Sequence, residues 1–522
     1  MPRPGFVLDV DERTPPLLVH EGEGYRMQKF PLGTKVIYPP DALPGVADLN
    51  ANIRRALLEP IGDSKPLPDL LHAGMKLTIA VDDISIPLPP MVTPDVRQRI
   101  LEHVIELAAR AGVDDLEIVV ATALHRRMTA SEIRRMVGER VYRSFWPKAL
   151  YNLDAEDAAN MTIVGQTDHG ETVQIQKRAA ESDLIVYVNI NLVAMDGGHK
   201  SVAIGLAGYE SLKHHHNVNT MLHSRSYMDP REGHSAINDS TIRMGRYLRD
   251  QGVKIFQIET TMNAETFPSQ LGFLNKREWE WSAKDQGLMA AAKKANDVAP
   301  PRVRREFFRR IEAPYKVTGI NAGEVEAVHE RTLENLHRQQ LVEVEGQADI
   351  AVFGVPYIGP YNVNSVLNPI LVHCLGLGYL FNMYRNKPLV REGGVAIMYH
   401  PVHHPSYVDF YEEVLATTTD PIEIEQRFEK SYAEDEWYRH LYRTSYAYHG
   451  VHPFYMWYWG AHALDHVGDV IFVGGDKEAC QRMGFKRAST MADALEMAEG
   501  TVGRDPSITH FGCPPLFYAE VE

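Results

Sequence analysis

Short apolar runs alternate with amphipathic stretches over most of the chain. Lys76 to Val81 (KLTIAV) is a continuous, β-branched run that stops at Asp82-Asp83 and a proline-rich turn, the pattern of a buried strand. Val96, Ile100, Val104, Leu107 and Ala108 then recur at helical spacing between Pro94 and Ala111, with Gly112 in the place of a C-terminal cap. The same reading predicts strands over 116–121, 183–188 and 253–258 and helices over 131–137 and 240–251. Such alternation favours a largely parallel sheet covered by helices.

Residues 276–345 break the rhythm, being rich in Arg, Glu, Lys and Ala and poor in strand signals, and they read as long helices joining two domains. Strand runs resume at 349–354, 394–399 and 469–474, and no repeat of solenoid period is present. The expected fold is α/β: two α/β domains with mainly parallel sheets covered by helices and the active site in the cleft between them. The expected boundaries are 1–320 for a cofactor-binding and catalytic domain, 321–347 for a helical linker, 348–500 for a closing domain and 501–522 for a segment returning to the first. A length of 522 residues fits two cores better than one.

Composition narrows the function. A net charge of −15 argues against nucleic acid, whose phosphates require clustered Lys and Arg. The dense basic run at Arg302-Val303-Arg304-Arg305 and Arg309-Arg310 reads as a solvated helix face. No segment reaches the roughly 18 apolar residues of a membrane span, and the first residues lack the apolar core of a signal peptide. Cys374, Cys480 and Cys513 show no paired spacing, which fits a reducing, cytoplasmic setting without a cysteine zinc site. Oligomerisation is left open.

Ligands of open α/β sheets bind beyond the carboxyl ends of the strands. The first predicted strand delivers Asp83, the second His125, and the third the loop Gly197-Gly198-His199-Lys200-Ser201. Singly, each has a plain explanation: a turn cap, a loop histidine, an exposed lysine. Together they bring an acid, an imidazole and an amine to one sheet edge. The loop is not a nucleotide-triphosphate loop, because His199 stands where glycine must precede the lysine. Gly376-Leu377-Gly378 lacks the third glycine of a dinucleotide fingerprint, and no G-x-S-x-G elbow suggests a hydrolase. Lys213-His214-His215-His216-Asn217 is either a polar helix end or the source of one or two metal ligands. His400-Pro401-Val402-His403-His404-Pro405 follows another strand.

The ordered set Asp83…Pro87, Thr122…His125-Arg126…Thr129, Gly165-Gln166-Thr167…Gly170, Gly197–Ser201 and Tyr209-Glu210…His216-Asn217 resembles the nickel-dependent lactate racemase family. The resemblance runs from about Leu77 to Asn263 and continues more weakly at Ala322-Gly323…His329, Gly354-Val355-Pro356, Gly393-Gly394 and Trp457. It implies a nickel pincer nucleotide, a pyridinium mononucleotide with two sulfur-containing arms, covalently attached at Lys200, with His216 as the nickel ligand. It further implies that His125 is an acid/base catalyst and that Asp83 and Ser85 help hold His125 and the cofactor phosphate. Gly197, Gly198, His199 and Ser201 would frame the cofactor, and Trp457 would be the aromatic residue on the closing domain. Enzymes that build the cofactor would be partners.

The chain departs from the family pattern at telling places. Where the resemblance puts a second catalytic histidine, ten residues before the lysine, stands Ile190 between Asn189 and Asn191. Ile86 and His199 replace arginines, and Asn364-Ser365-Val366-Leu367-Asn368 supplies only neutral residues where glutamine and lysine would grip a carboxylate. Charge-assisted hydrogen bonds of that kind are worth about 1.5–3 kcal/mol each. The expected substrate is therefore a 2-hydroxy acid or related hydroxy compound, such as a sugar acid, polyol or hydroxy amide, rather than lactate, with His403 or His404 as the second acid/base. The expected function is a racemase or epimerase working by reversible hydride transfer. The alternatives are a pincer-dependent oxidoreductase and a non-catalytic binder of cofactor or metabolite.

Overall fold

The computed structural model describes residues 2–85, 89–356, 368–402 and 408–522. Among these residues two large sheets dominate. The first runs edge to edge through Val317–Gly323, Ile255–Met262, Leu184–Asn191, Lys76–Asp82, Asp115–Ala121 and Leu150–Asn152. All its neighbours are parallel except the Val317–Gly323 edge strand. Alternate residues feed two cores, as the two-residue strand period requires. Leu77, Ile79 and Val81 pack with Ile100 and Val104 of the helix Val96–Arg110, whereas Ala80 and Tyr187 enter the larger core on the other face. Asp95 caps that helix by accepting the Arg97 N–H, and Gly112, at φ +75°, follows its end.

The second sheet runs through Phe6–Asp9, Lys35–Tyr38, Ile508–Phe511, Ala348–Gly354, Val390–Tyr399, Asp469–Val473 and Lys486–Ala488. Only Phe6–Asp9 is antiparallel to its neighbour. The two-sheet α/β architecture is thus present, but the sheets ignore the expected boundaries. Phe6–Asp9 and Lys35–Tyr38 belong to the second sheet, and Ile508–Phe511 joins them to Ala348–Gly354 instead of returning to the first. Loop closure costs grow only slowly with length, so pairing over hundreds of residues leaves no mark in local pattern. The region 276–345 is helical at Ala283–Val298, Pro301–Arg309 and Val325–Gln340, yet it also contributes the edge strand Val317–Gly323, whose alternation is too irregular to read. The predicted helix at 131–137 runs on to Phe145 through a kink at Gly138.

The first sheet reverses direction beside Lys76–Asp82. The chain builds outward through Asp115–Ala121 to Leu150–Asn152, then returns to the other side with Leu184–Asn191. The loops after Asp82 and Asn191 therefore part company and open a crevice at the strands' carboxyl ends. No helix among the described residues is long and apolar enough to cross a membrane.

Candidate active site

A cavity of about 130 Å³ fills that crevice. Asp82, Asp83, Ser85, His125, Lys200, Ser201 and His216 line it from the first sheet's loops, and Tyr379, His452, Tyr455, Met456 and Trp459 close it from the second unit.

Asp83 and His125 form its clearest pair. His125 Nδ1 lies 2.9 Å from Asp83 Oδ2 and 2.8 Å from Ser85 Oγ, while the Ser85 N–H and hydroxyl both donate to the Asp83 carboxylate. Burial alone would raise the Asp83 carboxyl, but the neighbouring His125 and these hydrogen bonds outweigh it and hold the group below its ordinary value. An ionised Asp83 accepts the Nδ1 proton, so Nε2 of His125 carries the lone pair. The buried Arg97 guanidinium braces the strand end, donating to the Asp82 and Asp83 carbonyls at 3.2 and 2.6 Å while paired with Asp95. Asp83 and Ser85 are thus tied to His125 while both line the cavity.

The glycine loop is held from below by Glu259, a wholly buried residue of the Ile255–Met262 strand. Its carboxylate accepts the Gly198 N–H at 2.6 Å and the amides of Asn191 and Gln257 at 3.3 and 3.1 Å, and lies 3.3 Å from His329 Nδ1. Gly197, at φ +91°, admits no side chain: a Cβ would sit 2.3 Å from Asn191 Nδ2 and 2.5 Å from Glu259 Oε1. The loop leads into the short helix Lys200–Ala203, where Ser201 accepts from Gln257 at 2.7 Å. Lys200 Nζ stands 3.6 Å from Asp196 Oδ1, and the side chain keeps 30 % of its surface exposed. Asp82, also in the cavity wall, accepts from Tyr187 and from the Ile190 N–H, and burial pushes its carboxyl up to about 7.

His216 ends the helix Tyr209–His215 and rests against Tyr455, ring centres 5.1 Å apart. Its protonation pattern follows from its neighbours. Burial pushes His215 down to about 3 and His216 well below the ordinary histidine value, so each ring carries one proton at neutral pH. The Thr241 hydroxyl donates to the Ile237 carbonyl at 2.9 Å, so it accepts the Nε2–H of His215 at 2.7 Å. His215 Nδ1 is then an acceptor, and His216 Nδ1, 2.9 Å away, donates to it. The lone pair of His216 is left on Nε2.

Other expected residues stand elsewhere. His199 is buried beside Glu326, Nε2 3.0 Å from Oε1, and is not among the lining residues. Nor is Trp457, which stacks on His373 at 4.1 Å and donates to the Thr419 carbonyl. Trp459 lines the cavity instead, since two residues at a helical end turn about 200° around the axis. Asn368 caps the helix Pro369–His373. Ile86, residues 364–367, His403 and His404 lie outside the described residues. Glu259 and His452 escaped the sequence reading, which gave no role to Asp82, at its strand's end, or to Asp196, four residues before Lys200.

Residues 24–229 match the family model of the lactate racemase N-terminal domain. Over 168 residues the chain is 28 % identical to a lactate racemase of Thermoanaerobacterium thermosaccharolyticum, covering 31 % of this chain and 37 % of that protein. Over 170 residues it is 28 % identical to a lactate racemase of Lactiplantibacillus plantarum, covering 32 % and 38 %. These matches span well under half the length of either relative. The fold as a whole is similar to the lactate racemase apoprotein structure from Thermoanaerobacterium thermosaccharolyticum, with a TM-score of 0.63, 17 % identity and coverage of 97 % of this chain and 100 % of that one.

Proposed function

We propose that this chain, a divergent member of the lactate racemase family, racemises or epimerises a 2-hydroxy acid or a related hydroxy compound. The observation that carries the reading is the convergence of Lys200, His216 and the Asp83–His125 pair on one cavity.

The residues fit a lysine-tethered nickel pincer nucleotide. The Lys200 amine reaches the cavity 3.6 Å from the Asp196 carboxylate, and it would hold the group covalently. His216, neutral and with Nε2 unprotonated, would supply the kind of nitrogen donor nickel prefers. Among the described residues no group of three or more His, Cys, Asp or Glu is arranged to hold a metal by itself, so nickel would draw its other donors from the bound nucleotide. When bound, that group supplies reversible hydride transfer with the substrate carbon. Asp83 orients His125 so that Nε2 faces a substrate oxygen as a proton acceptor or, once protonated, a donor. The neutral residues where the resemblance puts cations favour a larger, less charged substrate than lactate. A one-way, pincer-dependent oxidoreductase is the second reading, favoured by Ile190, whose side chain cannot move a proton.

The test is coexpression with the cofactor-building enzymes. A mass adduct mapped to Lys200 together with bound nickel is expected, and an unmodified, nickel-free chain refutes both readings. Chiral chromatography of hydroxy acids and sugar acids after incubation then separates them: mixing of enantiomers or epimers supports the first, net formation of the oxo compound the second.

A further inference from the structure

The cavity holds an imidazole with no counterpart in the resemblance. His452 starts the helix His452–Tyr458 and is 2 % exposed. Its ring centre lies 5.8 Å from that of His125, the planes at 83°, and Tyr448 stacks on it at 4.3 Å. The placement is held by several independent contacts. The Tyr442 hydroxyl donates to the Ala123 carbonyl at 3.0 Å, and the His449 N–H donates to the Leu124 carbonyl at 3.4 Å. His449 Nε2 lies 2.7 Å from Glu156, and the His452 N–H donates to the His449 carbonyl at 2.9 Å. The loop that presents His125 is thus laced to the segment that presents His452.

We propose that His452 is the second proton-transfer residue, paired with His125, an inference that rests on the racemase reading above. The stereochemistry demands two positions. If the substrate C–H always faces the hydride acceptor and one substituent is anchored, the hydroxyl and the remaining group exchange places between enantiomers. Two substituents on one tetrahedral carbon lie about 2.5 Å apart, so the two acceptors need to be only a few ångströms from each other. Perpendicular imidazoles at 5.8 Å form such a corner. In the forward half one imidazole would take the O–H proton, while the bound cofactor would supply the acceptor for the C–H hydride, leaving the oxo compound. In the return half the same hydride would be given back to the opposite face of the carbonyl carbon while the other imidazole protonates its oxygen, and solvent exchange would restore the two rings.

The test compares His452→Gln and His125→Gln with wild type in the cofactor-loaded enzyme, on a hydroxy acid that the wild type racemises. Each variant should load Lys200 and nickel normally, unfold at the wild-type temperature and lose racemisation by about 100-fold or more. In single turnovers with separate enantiomers, trapped with phenylhydrazine, each variant should oxidise one enantiomer and not the other, with opposite choices. A second readout needs no cofactor: the oxo acid corresponding to the hydroxy acid that the wild type racemises, titrated into the apoprotein, should shift the ring carbon NMR signals of both His125 and His452 at one dissociation constant. Racemisation by His452→Gln within twofold of wild type, loss of both half-reactions alike, or an unmoved His452 signal overturns the proposal. A wild type that loads cofactor but racemises nothing refutes the parent reading instead.

Discussion

Glu259 accepts the backbone N–H of Gly198 at 2.6 Å, from a carboxylate with no exposed surface. The loop bearing Lys200 is therefore fastened by a buried charge on the neighbouring strand. Breaking one side of a buried ionic network costs about 3–5 kcal/mol. Glu259→Ala is expected to lower unfolding free energy by roughly that amount in urea titrations. Gly197→Ala, which drives a Cβ into Asn191 and Glu259, should cost about 1–3 kcal/mol and reduce modification of Lys200 in the intact mass.

Thr241 stands at the far end of the relay that sets the His216 tautomer. Thr241→Val removes one acceptor of the His215 ring, leaving the Ile237 carbonyl as the other, and loosens the hold on both tautomers. Outer-shell changes of this kind cost about 10–100-fold in metal affinity. Nickel retention by loaded protein against a chelator should fall accordingly, and nitrogen NMR of the apoprotein should show mixed tautomers for His216.

Asp83→Asn keeps the shape of the Asp83–His125 contact but removes the charge that fixes the Nδ1 proton. Turnover is expected to fall by roughly 10²–10⁴. Adduct mass and nickel content should not change, because neither Lys200 nor His216 touches Asp83 through a hydrogen bond in this structure.

Glu429 is buried between the Tyr209 and Tyr458 hydroxyls, and burial, with Glu425 nearby, pushes its carboxyl from 4.5 up to about 7. Between those values the folded state holds a proton that the unfolded chain has released. The contribution to stability is full below pH 4.5 and declines as pH rises towards 7, on the order of 1 kcal/mol per pH unit. Glu429→Gln should flatten that decline in denaturation curves taken from pH 5 to 8, and should unfold later than wild type at pH 8.

Much of the first sheet was legible because its strands are short apolar runs ended by polar or glycine turns, as at Lys76–Asp82 and Asp115–Ala121. The strand ends carried Asp83, His125 and Lys200 to one edge for the same reason: a parallel sheet puts all its carboxyl ends on one side. By contrast, the assignment of Phe6–Asp9 and Ile508–Phe511 to the second sheet was invisible, since pairing between strands hundreds of residues apart leaves no mark in local pattern.

Local pattern by itself determined the α/β class, the sheet edge on which Asp83, His125 and Lys200 stand and the residues that carry charge and imidazole there. It could do so because strand and helix periods, and the residues that end them, are short-range properties. Only the tertiary structure decided what those residues touch. It turned His199 towards Glu326, set Trp459 instead of Trp457 in the wall, placed Glu259 under the glycine loop, and brought His452 against His125 across 327 positions of chain. Contacts of that kind come from packing two distant cores together, and no local periodicity records which faces will meet.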